Sequence, residues 1–378
     1  MSSPLWVATD PNRTLVSSVD PLVVSRAESW RWDILTIDDA PTATLDGVSG
    51  ASLNFTAGAA MRGGGSLSWA PMPGQARPDW PRIRLQPWYR LDTLVGSMEW
   101  PLGVFLPVTP TEKWTDEGVQ IDVDLYDKTL VLDQDHTTQT TGVQKGSNVT
   151  DAVRSIITAA GEDKLAIIDS AETLATAIVW EPDTSRLTIV NDLLKAINYT
   201  PLWCDGYGTF RAEPAVPAAQ RGVRRFFKGD GTGDGLYAPD FSQTRDLFEV
   251  PNVLKLVAKA DSSAPARTSV VSNDDPASPT STVNLGRVIS RQETDVDATS
   301  QAVLDEKAAA RLRELSRVSA ELDVECALGP IPLDVRDVVA FTSPGAGIDV
   351  LAEVQKISIK GGTTGDSTMN ITITEVLP

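Results

Sequence analysis

The sequence comprises 378 residues, more than a single hydrophobic core usually contains, and this length predicts about two or three domains. Hydrophobic residues make up 41% and charged residues 22%, a balance typical of a soluble globular protein. The formal net charge of -18 excludes ordinary binding to a nucleic-acid backbone, although it would suit a conduit through which DNA slides without sticking.

The sequence carries no signal for membrane insertion or secretion. No stretch approaches the roughly 20 consecutive apolar residues that span a bilayer. The N-terminal segment MSSPLWVATDPNRTL lacks the basic-then-apolar order of a secretory signal. The two cysteines, Cys204 and Cys326, lie far apart in sequence, and a disulfide framework would need more cysteines in a much shorter chain, so we expect two reduced, buried cysteines.

The N-terminal third is predicted to consist of strands. Residues 1–28 are polar with few periodic signals and are expected to form an arm. Short strand patterns then follow one another, separated by connections rich in glycine and proline, notably at 58–82. We therefore predict a β-sandwich or barrel at 29–132.

Two stretches show the alternation of a strand with one buried face. Residues 119–125 alternate between apolar and polar types, and residues 83–86 do so over a shorter distance. The polar residues of both stretches are expected to face solvent: Arg84, Gln86, Gln120, Asp122 and Asp124.

A small α/β domain is predicted at 133–240. Apolar residues at helical spacing indicate one helix that begins after the cap Asn148 and a second helix at 186–197. The following run predicts a hairpin that turns near Asp205 and Gly206.

The remaining chain, 241–378, is predicted to be a second β region that contains one helix. Residues 261–282 are rich in Ser, Pro and Asp and are expected to form a loop. The helix is expected at 298–318, with Asp297 as its cap. Its apolar stripe comprises Leu304, Ala308, Leu312 and Leu315. The predicted strands lie near 253–257 and at 335–341, 350–359 and 369–376.

Three groups of residues in the sequence are candidate sites, and each also has a simpler interpretation. The only histidine, His136, lies near Asp133 and Asp135, but further nitrogen or sulfur ligands are lacking nearby, which favours a solvated loop.

The second candidate is the run GDGTGDG at 229–235, which resembles a calcium loop through its oxygen-bearing side chains. Its twelfth position is Phe241 where such a loop has Glu, so we predict a turn. The possible oxygen ligands of this run are Asp230, Thr232 and Asp234.

The third candidate is a basic cluster interleaved with two phenylalanines, a pattern that also occurs in nucleic-acid patches. In a chain this acidic, we expect the basic residues to pair with carboxylates of the protein or of a neighbouring subunit. The cluster comprises Arg221, Arg224, Arg225, Phe226, Phe227 and Lys228.

Several segments, taken in order, resemble the minor tail or hub proteins of siphophages that infect actinobacteria. The resemblance spans roughly residues 30–378. The segments are EWPLGVFLPVTPT at 99–111, QIDVDLYDKTLVLDQD at 120–135, GSNVTDAVRSIITAAG at 146–161, WEPDTSRLTIVNDLLKAINYTPLWCDGYGTFRAEP at 180–214, VPNV at 250–253, SQAVLDEKAAARLRELS at 300–316 and PLDVRDVVAF at 332–341.

This resemblance implies a mainly β fold with an α/β insertion, in which two β-barrel or sandwich domains resemble the tail-tube subunit. It further implies a homotrimer, like the hub of contractile-tail baseplates, whose six tube-like domains match a sixfold tail tube. The implied location is the tail tip of a virion assembled in the host cytoplasm. The implied partners are a distal tail or tail-tube protein, tip, fibre or receptor-binding proteins and a tape-measure protein, with DNA passing through.

The resemblance implies no enzyme activity, catalytic residue, cofactor or metal. An alternative is a tail-associated cell-wall hydrolase or carbohydrate-binding β-protein, which would need a cleft with convergent carboxylates and aromatic side chains. Four tryptophans could supply an aromatic platform in that case, although such residues are more often core or interface anchors. They are Trp80, Trp88, Trp100 and Trp114.

Overall fold

The computed structural model describes most of the chain from residue 26 onward. The described ranges are 26–72, 74–93, 96–116, 118–230, 233, 235–259, 267–296, 300–316, 318–329, 332–361 and 367–377. The expected arm at 1–28 lies almost entirely outside them. The chain forms two compact units, one of residues 1–241 with 323–376, and the other of residues 242–322 with 377–378. We call the segment 242–322 the inserted unit.

The first strand group contains eight strands. They are β1 Arg26–Leu35, β2 Pro41–Thr44, β3 Val48–Thr56, β4 Gly63–Trp69, β5 Arg84–Thr93, β6 Gly96–Pro101, β7 Phe105–Thr115 and β8 Gly118–Asp127. Neighbours pair in the order β3-β4-β8-β7-β5-β1-β2, and β6 pairs with β5. The predicted alternation along β8 is confirmed, because Ile121, Val123 and Leu125 are buried while Asp124 is exposed.

The α/β segment follows directly. Its elements are α1 Leu130–Gln134, β9 Thr141–Val143, α2 Val149–Ala159, β10 Leu165–Ile167, β11 Ile178–Trp180, α3 Arg186–Ala196, β12 Trp203–Cys204 and β13 Phe210–Ala212. The Asn148 side chain caps α2 by accepting from the Asp151 amide at 3.0 Å, as predicted. The predicted hairpin is also present, with Asp205 and Gly206 in the turn between β12 and β13.

The chain continues through β14 Val223–Lys228 and β15 Tyr237–Thr244 into the inserted unit. Its elements are β16 Val253–Ala258, β17 Thr268–Ser272, α4 Thr282–Leu285, β18 Ser290–Val296 and α5 Gln301–Leu315. β16 lies between antiparallel β17 and parallel β18, and α5 buries its stripe against this sheet.

Four further strands complete the main sheet: β19 Glu321–Ala327, β20 Val338–Ser343, β21 Ile348–Gly361 and β22 Thr368–Glu375. They form the second strand group together with β14 and β15. β21 pairs antiparallel with β3, so both groups belong to one sheet of 14 strands. The prediction of a mainly β fold with a small α/β part is confirmed.

The domains predicted at 29–132, 133–240 and 241–378 stay a prediction, and strand pairing links the C-terminal segments to the first strand group. The inserted unit separates from 323–376, whose strands pair with the first strand group through β21. The expected helix 298–318 is α5, capped by the Ser300 hydroxyl; the proposed cap Asp297 lies outside the described residues. Pairing between strands distant in sequence produces this arrangement, which no local pattern reveals.

Two segments expected to be connections contain strands. β4 runs through the glycines of 58–82, and β17 lies within 261–282. A Cβ on Gly65 would lie 2.0 Å from the Ser52 carbonyl oxygen of β3, so the glycine allows two backbones to approach closely. The glycine run therefore serves strand packing, although it has the composition of a turn.

Candidate functional site

A buried ionic cluster joins the first strand group to the α/β segment. The Lys128 side chain is fully buried, and its Nζ lies 2.7 Å from Asp39 Oδ2, 2.8 Å from Glu162 Oε2 and 2.8 Å from the Gly208 carbonyl oxygen. Arg84 Nη1 lies 2.7 Å from Asp39 Oδ1, and Arg84 Nη2 lies 2.5 Å from Glu162 Oε1. The partly exposed Lys164 also lies with its Nζ 3.5 Å from Asp39 Oδ2, so the cluster pairs two buried cations and one partly exposed cation with two carboxylates.

The expectation that Arg84 and Gln86 face solvent was wrong, because both are buried. The Gln86 amide donates to the Gly206 carbonyl oxygen at 2.9 Å, so the α/β segment covers this face of β5. Burial alone would raise the pKa of Asp39, but Lys128 and Arg84 outweigh it and hold that pKa below its ordinary value. The carboxylate therefore stays ionised inside the protein.

A second buried cluster lies where the two strand groups meet. Arg62 forms an ion pair with Asp334 and donates to the Val335 carbonyl oxygen at 2.8 Å. Burial raises the pKa of Asp334 to about 7, an effect that nearby Asp337 reinforces and that Arg62 opposes. The ion-pair geometry favours the charged form, but the side chain is 1% exposed, and desolvation has the larger effect.

This raised pKa predicts a pH dependence of stability. Folded protein retains the Asp334 proton up to about pH 7, whereas the unfolded chain releases it near 3.8. The folded state therefore binds more protons in this window, and the free energy of unfolding should fall as pH rises through it. We expect Asp334→Asn to flatten this decline in thermal melts from pH 4.5 to 7.5.

The matched control for this prediction is Asp122→Asn. Asp122 Oδ2 lies 2.5 Å from Lys113 Nζ, and the hydrogen bond from Lys113 helps lower the pKa of Asp122 to about 2. Its charge is therefore constant across the window, and its replacement should leave the slope unchanged. An identical slope in wild type and Asp334→Asn would contradict the prediction.

The sequence-derived candidates do not converge on one place. His136 is exposed, and its Nδ1 lies 3.0 Å from Asp183 Oδ1. The pKa of His136 is raised, mainly because its ring hydrogen-bonds to the Asp183 carbonyl oxygen. Within the described residues, no group of three or more His, Cys, Asp or Glu side chains is placed to hold a metal. Cys204 and Cys326 are both buried and free, as predicted.

The glycine-rich run joins β14 to β15. A Cβ on Gly233 would lie 2.1 Å from the Phe226 carbonyl oxygen, so this turn packs closely on β14. Thr232 and Asp234 lie outside the described residues. Phe241, at the position where a calcium loop has Glu, packs edge-on against Phe341 with ring centroids 5.3 Å apart.

The basic cluster is partly internal. Arg221 is buried and its Nη2 lies 2.5 Å from Glu353 Oε1, so this arginine pairs with a carboxylate of the protein as expected. Arg225 and Phe227 are buried as well, and only Phe226 and Lys228 are exposed at the end of β14. These residues do not form a continuous basic surface.

The four tryptophans also lie apart. Trp80 and Trp100 are buried, and Trp88 packs edge-on against Tyr207 with ring centroids 6.0 Å apart. Trp114 is 71% exposed on the hairpin of β7 and β8. This single exposed ring is a candidate contact for a partner, and it is held by Arg77, whose guanidinium carbon lies 5.6 Å from the ring centroid.

Solved structures with the same fold supply the decisive comparison. A tail protein from Neisseria meningitidis is similar over 92% of this chain and 97% of its own, with a TM-score of 0.62 and 12% identity. The chain has the fold of phage tail proteins. The 43 kDa tail protein of prophage MuSo2 from Shewanella oneidensis shares this tail-protein fold over 92% and 98% of the two chains, with a TM-score of 0.60 and 13% identity.

The same fold occurs in a further solved structure. A chain of the Francisella PdpA-VgrG complex is similar over 93% of this chain and 53% of its own length, with a TM-score of 0.57 and 7% identity. No family model and no curated protein matches the sequence. The resemblance to tail and hub proteins drawn from the ordered segments is confirmed by these structures.

Within the described residues, no helix combines the length and apolarity that crossing a membrane requires.

The two ionic clusters were not predicted from the sequence. Arg84 and Lys128 belong to strand and turn patterns in which charged residues usually face water, and their carboxylate partners are distant in sequence.

Proposed function

We propose that this chain is a structural hub protein of a phage tail tip, in which three copies form a ring that continues the tail tube and its DNA channel. The observation that carries the proposal is the likeness to the tail protein from Neisseria meningitidis, which covers 92% of this chain and 97% of the other. A likeness over nearly the whole of both chains is what a shared role in a tail would require.

The arrangement of strands supports the threefold ring. The first strand group has eight strands and the second has six, and the two are joined edge to edge where β3 pairs with β21. If each group corresponds to one tube-like domain, three chains present six such domains. A threefold ring could then dock on a sixfold tube, because equivalent domains offer equivalent docking surfaces.

In this role the chain acts without catalysis. Its partners are a distal tail or tail-tube protein above, tip, fibre or receptor-binding proteins below and the tape-measure protein. The net charge of -18 suits a wall past which DNA moves without binding, because phosphates are repelled by an acidic surface. Purified protein incubated with host cell wall should release neither sugars nor peptides.

The copy number tests the proposal directly. Electron microscopy of tail tips that contain this chain should show three copies per ring. Isolated protein can remain monomeric, because assembly can depend on neighbouring tail proteins. A ring of six chains, or a position away from the tail, would overturn the proposal.

A substitution at the exposed hairpin tests the contact surface. We expect Trp114→Ala to leave the free energy of unfolding within about 0.5 kcal/mol of wild type, because the ring is mostly in solvent. Its incorporation into tails should fall, since exposed aromatic anchors often dominate binding energies. Quantitative immunoblots of purified particles measure this, with the exposed neighbour Thr111→Ala as control; equal incorporation of both variants would exclude the contact.

A further inference from the structure

A small cavity beside the second ionic cluster has an unusual lining. Its volume is about 20 Å³, enough for a single guest of the size of a water molecule. Two arginines, Arg62 and Arg336, line it together with Thr200 and Trp203. The Arg62 guanidinium carbon lies 4.3 Å from the centroid of the Trp203 ring, which fixes the cation in place.

Two residues of this lining each have a buried polar atom that lacks a hydrogen-bond partner among the described residues. These atoms are Arg62 Nε and the Thr200 hydroxyl oxygen. The Arg62 side chain is only 10% exposed and Thr200 only 3%, so bulk water does not readily satisfy them. Leaving such groups unpaired costs about 1–3 kcal/mol each, more for charged groups, and this cost favours a bound guest.

The charge around the cavity is predominantly positive. Burial lowers the pKa of Arg336, and the neighbouring cations Arg221 and Arg62 lower it further, whereas Glu353 and Glu213 oppose this shift. Glu353 is already paired with Arg221, and burial favours the neutral form of Asp334 beside Arg62. Of the three carboxylates nearby, Glu353 is thus paired elsewhere and the neutral form of Asp334 is favoured, which leaves Glu213 to balance part of the charge of Arg336.

We propose that this cavity binds a single monatomic anion of the size of chloride, held by Arg62, Arg336 and the Thr200 hydroxyl. An anion accepts hydrogen bonds from all three groups and offsets the repulsion between the two arginines. A water molecule would satisfy the donors without reducing that repulsion. Sulfate and phosphate are too large for the volume. Such an anion would stabilise the junction of the two strand groups, whatever the protein's role in a tail.

Thermal unfolding of the full-length protein tests the proposal. Sodium gluconate is exchanged for sodium chloride at constant ionic strength, so that only the anion's identity changes. We expect a saturable rise of the midpoint temperature by about 2–4 °C, as mass action requires for a ligand that binds only the folded state. Bromide should act similarly, and sulfate should show no saturable component.

Two variants and a control separate site binding from general salt effects. Thr200→Val removes the hydroxyl with little change of shape, and Arg336→Gln removes one charge; both should abolish the saturable rise. Arg77→Gln, which alters an exposed arginine, should retain it. Equal responses of all four proteins would overturn the proposal.

Crystals of the unaltered protein grown in bromide provide a test that does not depend on the variants folding. An anomalous difference peak within hydrogen-bond distance of Arg62 Nε is the expected result. A water molecule at that position with no anomalous signal would also overturn the proposal.

Discussion

Replacing Lys128 by methionine is expected to lower the free energy of unfolding by about 3–5 kcal/mol. The Lys128 side chain has no exposed surface, and its Nζ contacts one oxygen of Asp39 and one of Glu162. Methionine fills a similar volume, so the loss reflects charge more than packing. Arg84 and the partly exposed Lys164, whose Nζ lies 3.5 Å from Asp39 Oδ2, would then compensate the two buried carboxylates less completely, because the buried ammonium that contacts both is lost.

The comparison with a surface pair isolates this effect. Lys113 also bonds an aspartate, with Nζ 2.5 Å from Asp122 Oδ2, but its side chain is 59% exposed. Lys113→Met should therefore change stability by no more than about 1 kcal/mol. Equilibrium unfolding in urea measures both variants, and equal losses would show that burial is irrelevant to the cluster.

A double variant tests whether the loss arises from carboxylate charge that is no longer fully compensated. Glu162→Gln removes one of the two negative charges that Lys128 balances. Adding it to Lys128→Met should recover part of the stability, so the two losses should not sum. Additive losses would mean that the two side chains stabilise the protein independently.

Local patterns were sufficient to predict the three longest helices and many strands, but not the short helices α1 and α4. α2 begins after Asn148, whose side-chain oxygen accepts from an amide in the first turn. α3 spans Arg186–Ala196, close to the expected 186–197, because its buried leucines recur at helical spacing. In both cases the information lies within about a dozen neighbouring residues, which is why sequence alone suffices.

Long-range pairing could not be predicted in the same way. β4 contains three consecutive glycines, a composition that indicates a turn, yet it lies between β3 and β8 because Gly65 permits a close approach. The second strand group combines residues before and after the inserted unit. The register between distant strands depends on which surfaces cover one another, and local periodicity does not determine it.

The buried charges, like the long-range strand pairing, could not be predicted from local sequence patterns. The alternation along β5 predicted that Arg84 faces solvent. In the structure the α/β segment covers that face, so Arg84 is buried. A strand covered on both sides normally has apolar residues on both. Arg84 departs from this rule because Asp39 and Glu162 provide its partners, and neither lies near it in sequence.

The inserted unit alone is expected to lose stability when one buried side chain of its helix α5 is shortened. Leu312 lies on α5, is 4% exposed and belongs to the same buried cluster as Leu254 and Leu256 of β16. Leu312→Ala should cost about 2–5 kcal/mol, the transfer free energy of the lost methyl groups plus the cost of the cavity. For a unit of this size, that is a large part of the total stability.

The loss should be confined to residues 242–322, because their contacts form a separate compact unit. Hydrogen exchange measured by mass spectrometry should show faster exchange in β16 and α5, with unchanged protection in β20 and β21. Val270→Ala, at a position on β17 that is 64% exposed, is the control and should exchange like wild type. Faster exchange throughout the chain would show that the inserted unit and the main sheet unfold together, and unchanged exchange would show that the Leu312 side chain does not stabilise this core.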